Sequence, residues 1–458
     1  MKAWEIERKK MNEAIPKILS EEEQTWDFAD VLEKQSDQMV SLYWASNVPG
    51  SYAPESIMIA AVQALENKGF VVRNSERLIK QGQTALENKD FLLLHETTGR
   101  LWREIHKAVP NYDHKYYSYT HYHSFEDVLK TVTFPKSEDS IEPQALEDKI
   151  YAGWLGQIIG GAVGTAIEGY PTSTIQKTFG EIRGYVRPPN TYNDDITFEI
   201  AFLRAYELKN KEITSDDIAD QWLRLIPLAW SAEDFALKNL QRGLYPPASA
   251  TFQNPFTDWI GAQMRGAVCG MVAPGNPKEA ARLAWIDAVI SHDNNGALGE
   301  MFNAILVSLS FVENDSRTLL EKTIQLLPGD SEYYDYVQIA YEICQRHTNW
   351  LNAWTEIEPL FKTYNWIHAY PNAMAEVLAL WFGEGDFTET LHIISMAGQD
   401  VDCNAAQILS ALAIMNGSKS IPNDLKGPIA DRLDTYLRGN KVLSIKKLAK
   451  DTLQTIHV

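Results

Sequence analysis

Two short acidic segments, each leading into an apolar run of helical length, constrain this chain more than any other feature. Gly398-Gln399-Asp400-Val401-Asp402-Cys403-Asn404 precedes residues 405–415, where Ala406, Leu409, Leu412 and Ala413 recur at three- and four-residue intervals and Asn416-Gly417 follows. That spacing predicts a buried helix with a glycine stop. Asp402 reads as its N-cap, yet a cap needs one carboxylate and Asp400 stands just before it. Far upstream, Asn193-Asp194-Asp195 leads in the same way into Ile196, Ile200 and Leu203. Helix N-termini keep such acids ionised, and carboxylates brought together repel unless a cation sits among them. Taken one at a time, each pair is equally explained as a cap plus a solvated neighbour. Taken together, Asp carboxylates, an Asn amide and water suit Mg²⁺ or Mn²⁺ better than zinc. Thr214-Ser215-Asp216-Asp217, ahead of Ile218, Trp222 and Leu225, serves as a control, because there plain capping suffices.

A second feature is a glycine run. Gly153, Gly156, Gly160, Gly161 and Gly164 interrupt an otherwise apolar stretch, and each costs roughly 0.5–1 kcal/mol relative to Ala inside a helix. Such a run serves close approach, either of a second helix or of a ligand to the backbone. No Gly-Lys-Ser/Thr follows it, so it is not a nucleotide P-loop. Glu168, just beyond, reads as an exposed loop acid or as a polar group aimed into a cleft.

A chain of 458 residues accommodates two domains. The polar, proline-broken stretch Pro135-Lys136-Ser137-Glu138-Asp139-Ser140 suits a linker, which divides the chain into a helix-rich region 1–140 and a main region 141–458. In the first, the pattern predicts helices near 21–38, 54–68, 75–87 and 91–109. Residues 112–123 crowd Tyr112, His114, Tyr116, Tyr117, Tyr119, His121, Tyr122 and His123 together. Alternating His fits one helical face poorly, and a loop packed on the main region explains it better than a metal clip. A net charge of −19 argues against a nucleic-acid backbone or an anionic membrane as partner. Cys269, Cys344 and Cys403 form neither a disulfide framework nor a zinc site. Without a membrane-length apolar stretch or a signal-like start, the expected location is cytoplasmic.

Several other residues are candidates. Residues 244–258 form a long proline-containing loop of the kind that lines sites. Gly261-Ala262-Gln263-Met264-Arg265-Gly266 opens a helix whose free N–H groups suit a phosphate, with Arg265 a substrate contact or a structural ion pair. Ser291-His292 ends the helix begun at Pro277, and His292 reads either as a substrate contact or as a satisfied buried imidazole. His368 and Asn372, leading into the helix 374–381, are further candidates to face the site.

In order along the chain, the glycine run with Glu168, Asn193-Asp194-Asp195, 261–265, Ser291-His292 and 398–403 resemble the motif series of the ADP-ribosylglycohydrolase family, over roughly 145–435. The resemblance implies an all-α fold: a compact orthogonal helical bundle, here with a helical N-terminal extension. It implies a hydrolase that removes ADP-ribose from a modified protein, nucleic acid or small molecule, with one or two Mg²⁺ ions. Asn193, Asp194, Asp195, Asp400, Asp402 and Cys403 would be its metal ligands, and Glu168, Asp194 and Asp402 its catalytic groups. Gly161, Gly261, Gln263, Arg265, Ser291 and His292 would be its substrate contacts, and His368 and Asn372 stand beside them as candidates from outside the motif series. Three positions depart from the family pattern: Asn193 and Cys403 stand where Thr ligands are expected, and Gly161 where an Asp often follows the glycines. A thiol is a poor Mg²⁺ ligand, so Cys403 bears on how many ions bind. The departures also keep open a different furanoside or nucleoside-like substrate, or a non-catalytic binding protein on the same scaffold.

Overall fold

The computed structural model describes residues 1–137 and 141–456, so part of the expected linker, 138–140, lies outside the described residues. The described chain is all-α: a long series of helices accompanied by two-stranded ribbons of two residues per strand. No helix among the described residues is long and apolar enough to cross a membrane.

Local sequence sets many of the helix boundaries. The helices Ser75–Glu87 and Phe91–His106 start where the pattern puts them, and the Asp90 carboxylate caps the second by accepting from the Leu93 amide at 3.0 Å. Thr214 and Asp217 form a reciprocal capping box on Ser215–Leu225, as the control reading requires. The helix expected near 21–38 instead spans Asp27–Trp44. Its end is drawn onward by packing: Val40 and Trp44 are its buried residues, the Trp44 ring fills the space over Gly82, and its indole N–H donates to Thr98 Oγ1 at 2.7 Å. The segment 261–266 also differs from expectation. It forms a buried 3₁₀ turn, Gln263–Arg265, before the helix Gly266–Met271, so no free helix N-terminus faces outward there.

One continuous buried apolar cluster runs from Val40 through Ala449, so the N-terminal helices and the main region share a core. Polar contacts reinforce the junction. Lys68 Nζ donates to Thr257 Oγ1 at 2.5 Å, Trp230 Nε1 to Glu55 Oε2 at 2.6 Å, and Gln63 Nε2 to the Thr363 carbonyl at 2.9 Å. The aromatic stretch 112–123 is a loop with one 3₁₀ turn, Lys115–Ser118, laid on the main region. There the Tyr122 amide donates to Asn294 Oδ1 at 2.9 Å and the Thr120 amide to the Asp330 carbonyl at 3.0 Å.

The deepest layer is the pair Pro143–Gly164 and Val401–Asn416, flanked by Asn295–Ser310 and Ala369–Gly383. Acids are buried even there. Glu376 Oε1 accepts from Gln263 Nε2 and Asn303 Nδ2, both at 3.2 Å, while Oε2 has no partner, and burial pushes its carboxyl up to about 8. Glu199, bonded by Gln407 Nε2 at 3.2 Å, is likewise pushed by burial to about 8.

Both carboxyls hold a proton in the folded protein that the unfolded chain loses near its ordinary value of 4.5. Their contribution to stability is therefore complete below that value and is lost as pH rises through about 8. Unfolding free energy should fall between about pH 4.5 and about pH 8 and level off above that. Glu376→Gln, which keeps the accepting oxygen and cannot ionise, should nearly match the wild type at about pH 5 and exceed it by about 2–5 kcal/mol at about pH 9. Denaturant titration at the two pH values checks this, and parallel curves for the two proteins would contradict it.

Candidate active site

The glycine run is the inner face of Pro143–Gly164. A Cβ on Gly156 would lie 2.5 Å from the Leu409 carbonyl oxygen, one on Gly160 2.5 Å from the Ala405 carbonyl, and one on Gly164 2.2 Å from the Asp402 Cα and amide. The run therefore serves helix-on-helix approach, and what it approaches is the segment that carries the aspartates. A two-residue ribbon continues the junction: Tyr170–Pro171 pairs antiparallel with Gly398–Gln399, and the Gly169 amide donates to the Gln399 carbonyl at 2.8 Å. Glu168 and Asp400 are thus tied at adjacent ends of one ribbon. Gly398 has φ +75°, and a Cβ there would meet the Tyr170 oxygen at 2.1 Å, so this turn requires glycine.

The second acidic helix begins two residues earlier than the sequence suggests. Asp400 occupies the N-cap position of Val401–Asn416, its side chain makes no capping bond, and Asp402 lies inside the first turn. Neither carboxylate is used to terminate the helix, and both are left for the site. Asn372 holds the turn. Its Oδ1 accepts from the Asp400 amide at 3.0 Å and from Asn404 Nδ2 at 2.7 Å, while its Nδ2 donates to the Trp366 and His368 carbonyls at 2.8 Å each.

The first acidic helix, Asp194–Lys209, is capped by Asn193, whose Oδ1 accepts from the Ile196 amide at 3.3 Å and whose Nδ2 donates to Asp402 Oδ2 at 3.2 Å. In this arrangement the amide oxygen serves the helix cap and the amide nitrogen donates to a carboxylate. Gly161 leaves room for it, since a Cβ at that position would come 3.1 Å from Asn193 Nδ2.

These elements gather two overlapping triads, Glu168, Asp400 and Asp402, and Asp195, Asp402 and Cys403, with ligand atoms in each within 4.8 Å of one another. Asp402 belongs to both. Asp195 is 0% and Asp402 3% exposed, and among the described residues no group reaches either Asp195 oxygen or Asp402 Oδ1 with good hydrogen-bond geometry. Burial first, and the neighbouring carboxylates second, push Glu168, Asp195 and Asp400 far above the ordinary carboxylate range. Asp194, open to the cavity, is raised by the surrounding protein and by Asp402. Burial likewise drives the Cys403 thiol up, so it stays protonated. Orphaned, mutually repelling oxygens in a closed space fit a hard divalent cation, and the thiol is the one donor that does not.

The triads open into a cavity of about 600 Å³, the size of a small-molecule site. Glu168, Asn193, Asp194, Asp400, Asp402, Cys403 and Gly261 line it. The remaining sequence candidates lie elsewhere. Arg265, 1% exposed, is enclosed by Asp287, Glu233 at 3.2 Å and Glu300 at 3.6 Å, donates to the Gly261 carbonyl, and stacks on Trp222. Its reading as a substrate contact gives way to that of a structural ion pair. Ser291 bonds Arg265 and sits 2.8 Å from His292 Nδ1, and both are fully buried off the cavity wall. Gln263 belongs to the Glu376 and Tyr333 network. His368 caps Ala369–Gly383 through Nδ1, and Asn372 acts through the Asp400 turn.

Other wall residues carry no sequence signal. Glu233 is an ordinary first-turn acid of Ser231–Gln241, placed against Gly261, where a Cβ would lie 1.8 Å from Glu233 Oε1. Arg187, Trp230, Trp366 and Tyr436 come from separate loops, as does the segment 46–50 with Glu55 from the N-terminal region. Only folding brings them together.

Known proteins resemble the main region. A family model described as ADP-ribosylglycohydrolase matches residues 142–456. An uncharacterized protein of Archaeoglobus fulgidus is 25% identical over 275 residues, spanning 57% of this chain and 85% of that protein. A solved chain titled ADP-ribosylglycohydrolase-related protein complex is similar with a TM-score of 0.47 and 19% identity, over 69% of this chain and 99% of that one.

If Gly164 exists to admit Asp402, Gly164→Ala should destabilise the protein by about 1–3 kcal/mol, the cost of overpacking. Exposed helical Gly99, where a Cβ would meet nothing within 4 Å, is the contrast: Gly99→Ala should stabilise by about 0.5–1 kcal/mol. Denaturant unfolding of both variants checks the opposite signs.

Proposed function

Because this chain belongs to the ADP-ribosylglycohydrolase family, we propose that it is a divalent-metal-dependent hydrolase that cleaves the ribofuranosyl bond of an ADP-ribosyl unit, releasing ADP-ribose from a protein, nucleic acid or small molecule. The observation that carries the metal is the set of orphaned oxygens on Asp195 and Asp402 beside Glu168 and Asp400. Mg²⁺ is the ion proposed, and Mn²⁺ is a substitute with the same oxygen preference. The chemistry such an ion supplies there is neutralisation of the carboxylates and polarisation of water and ribose oxygens.

The residues of the chain supply the remaining functions. Asp402, common to both triads and bonded by Asn193, is the central anchor. Asp194 opens from the helix N-terminus into the cavity, where it can orient a ribose hydroxyl. Glu168 reaches the same space from the end of the glycine helix, and its carboxyl is placed to orient water or move a proton at the scissile oxygen or nitrogen. The apolar lining, with Phe198, Met264, Ile260 and Trp366, excludes bulk water from the reacting groups.

The test is product release, followed by mass spectrometry, from ADP-ribosylated peptides, ADP-ribosyl small molecules and simple ribofuranosides, each in Mg²⁺ and in EDTA. Metal-dependent release of ADP-ribose is expected, with Asp402→Asn lowering it by at least a hundredfold. Release from a simple furanoside alone would move the substrate and keep the chemistry. Silence across the panel without metal binding would leave a binding scaffold.

Metal binding is also readable without turnover. Saturating Mg²⁺ should raise the melting temperature by several degrees, since a ligand at about a hundred times its Kd contributes about 2.7 kcal/mol. Cys403→Ser puts an oxygen where the protonated thiol stands and should enlarge that rise, while Asp402→Asn should remove it. A smaller rise in Cys403→Ser would place the ion away from the Asp195 triad.

A further inference from the structure

The cavity has a wall from outside the region matched by the family. Ser46, Asn47, Val48, Pro49, Gly50 and Glu55 line the same space as Glu168 and the aspartates, whereas the family match begins at residue 142. These residues form a small hairpin, with strands Ser46–Asn47 and Pro54–Glu55 paired antiparallel. The main region holds it at three points. Arg187 donates from Nη1 to the Gly50 carbonyl at 2.7 Å and from Nη2 to the Thr165 carbonyl at 3.4 Å, so one guanidinium joins the hairpin to the end of the glycine helix. Tyr170 Oη donates to the Ser51 carbonyl at 3.1 Å, and Trp230 Nε1 to Glu55 Oε2 at 2.6 Å.

The approach is as close as backbones allow. A Cβ on Gly50 would sit 2.2 Å from the Thr165 oxygen and 3.0 Å from Glu168 Oε1, and one on Gly169 would sit 2.5 Å from the Ala53 Cβ. The hairpin is thus placed against the acidic site itself, with the cavity left between it and the aspartates. Within that wall, Glu55 stands out. One of its oxygens is anchored by Trp230 and, at 3.4 Å, by Ser46 Oγ, while Oε1 has no partner among the described residues and is shielded from bulk water. A carboxyl so held offers a polar substrate group a fixed hydrogen-bonding partner in a water-poor setting, where matching it is rewarded and missing it is costly.

We propose that the hairpin 46–55 is part of the substrate site, and that Glu55 is a specificity-determining contact that hydrogen-bonds a hydroxyl or amide of the substrate across the cavity from the metal-binding acids. The identity of that substrate as an ADP-ribosyl compound rests on the function proposed above. The hairpin selects among substrates, and the main region performs the chemistry.

The experiment uses the full chain in Mg²⁺. Glu55→Ala should raise KM about tenfold for the panel compound that the wild type cleaves best, with kcat within about threefold and an unchanged melting temperature. Glu55→Gln, which keeps a polar group at the same place, should recover most of the loss. An unchanged KM in Glu55→Ala would overturn the proposal, as would a joint fall in kcat and melting temperature that shows Glu55 only docks the hairpin on Trp230.

A second readout is independent of turnover. The native cysteines are all buried, so Asn47→Cys adds one reactive thiol on the exposed hairpin wall. ADP-ribose, or D-ribose if ADP-ribose does not bind, should slow its alkylation by iodoacetamide at least fivefold. If the wild type cleaves nothing in the panel, the functional reading fails, and protection of this thiol still decides the hairpin: slowing supports it, and an unaltered rate with both sugars overturns it.

Discussion

The contact between the glycine helix Pro143–Gly164 and the helix Val401–Asn416 is the constraint on which the rest of the structure depends. Gly156, Gly160 and Gly164 present bare backbone to Leu409, Ala405 and Asp402 in turn, at separations that admit no side chain. Van der Waals contact along that line is dense and unforgiving. Its upper end sets where Asp402 stands, and the ribbon of Tyr170–Pro171 with Gly398–Gln399 then brings Glu168 to the same place. The destabilisation that each glycine would cause in an isolated helix is offset by packing that only a bare backbone permits.

Charge is managed in two contrasting ways within a single core. Around Arg265, three carboxylates enclose one guanidinium that also stacks on Trp222 and donates to the Gly261 carbonyl, so the charge is partly compensated, and burial raises Glu300 well above the usual range and Glu233 to about 7. Around Asp402 the acids have no such cation. Asn193 donates one hydrogen bond to Asp402, Asp195 has among the described residues only the Cys403 thiol and the Asn193 amide as weak neighbours, and burial raises each acid. A buried charge without a partner is far more costly than one that is paired. Gly261 and Glu233 border the cavity, and the lack of a side chain at Gly261 leaves room for Glu233, which reaches Arg265.

The site is also assembled from more of the chain than its chemistry requires. The acids come from the main region, yet the N-terminal helices share its apolar core and send a hairpin to the cavity wall. Polar groups on a loop carried by a rigid scaffold can contact a ligand without taking part in the packing that positions the acids.

Much of this was legible in the residues themselves. An apolar run with three- and four-residue spacing, closed by Gly417 at φ +79°, is sufficient to specify a buried helix, and paired aspartates at two such helix starts mark where charge must be compensated. The pairing of the glycine run with close approach follows from local rules of the same kind, and the all-α class follows from the resemblance carried by the motif series. Other features were not legible, because they depend on which surfaces meet. Whether Arg265 faces substrate or its own carboxylates, whether Asn193 turns its oxygen or its nitrogen to the site, and that Asp400 rather than Asp402 holds the cap position are outcomes of packing among segments far apart in sequence. Glu55, Arg187 and Glu233 carry no pattern at all, since a lone charged residue in a loop or first turn looks alike whether it faces solvent or a cavity. Periodicity and capping act over a few residues and are written into the chain locally. The direction of a buried polar side chain is settled by partners from distant segments, so only the tertiary structure decides it.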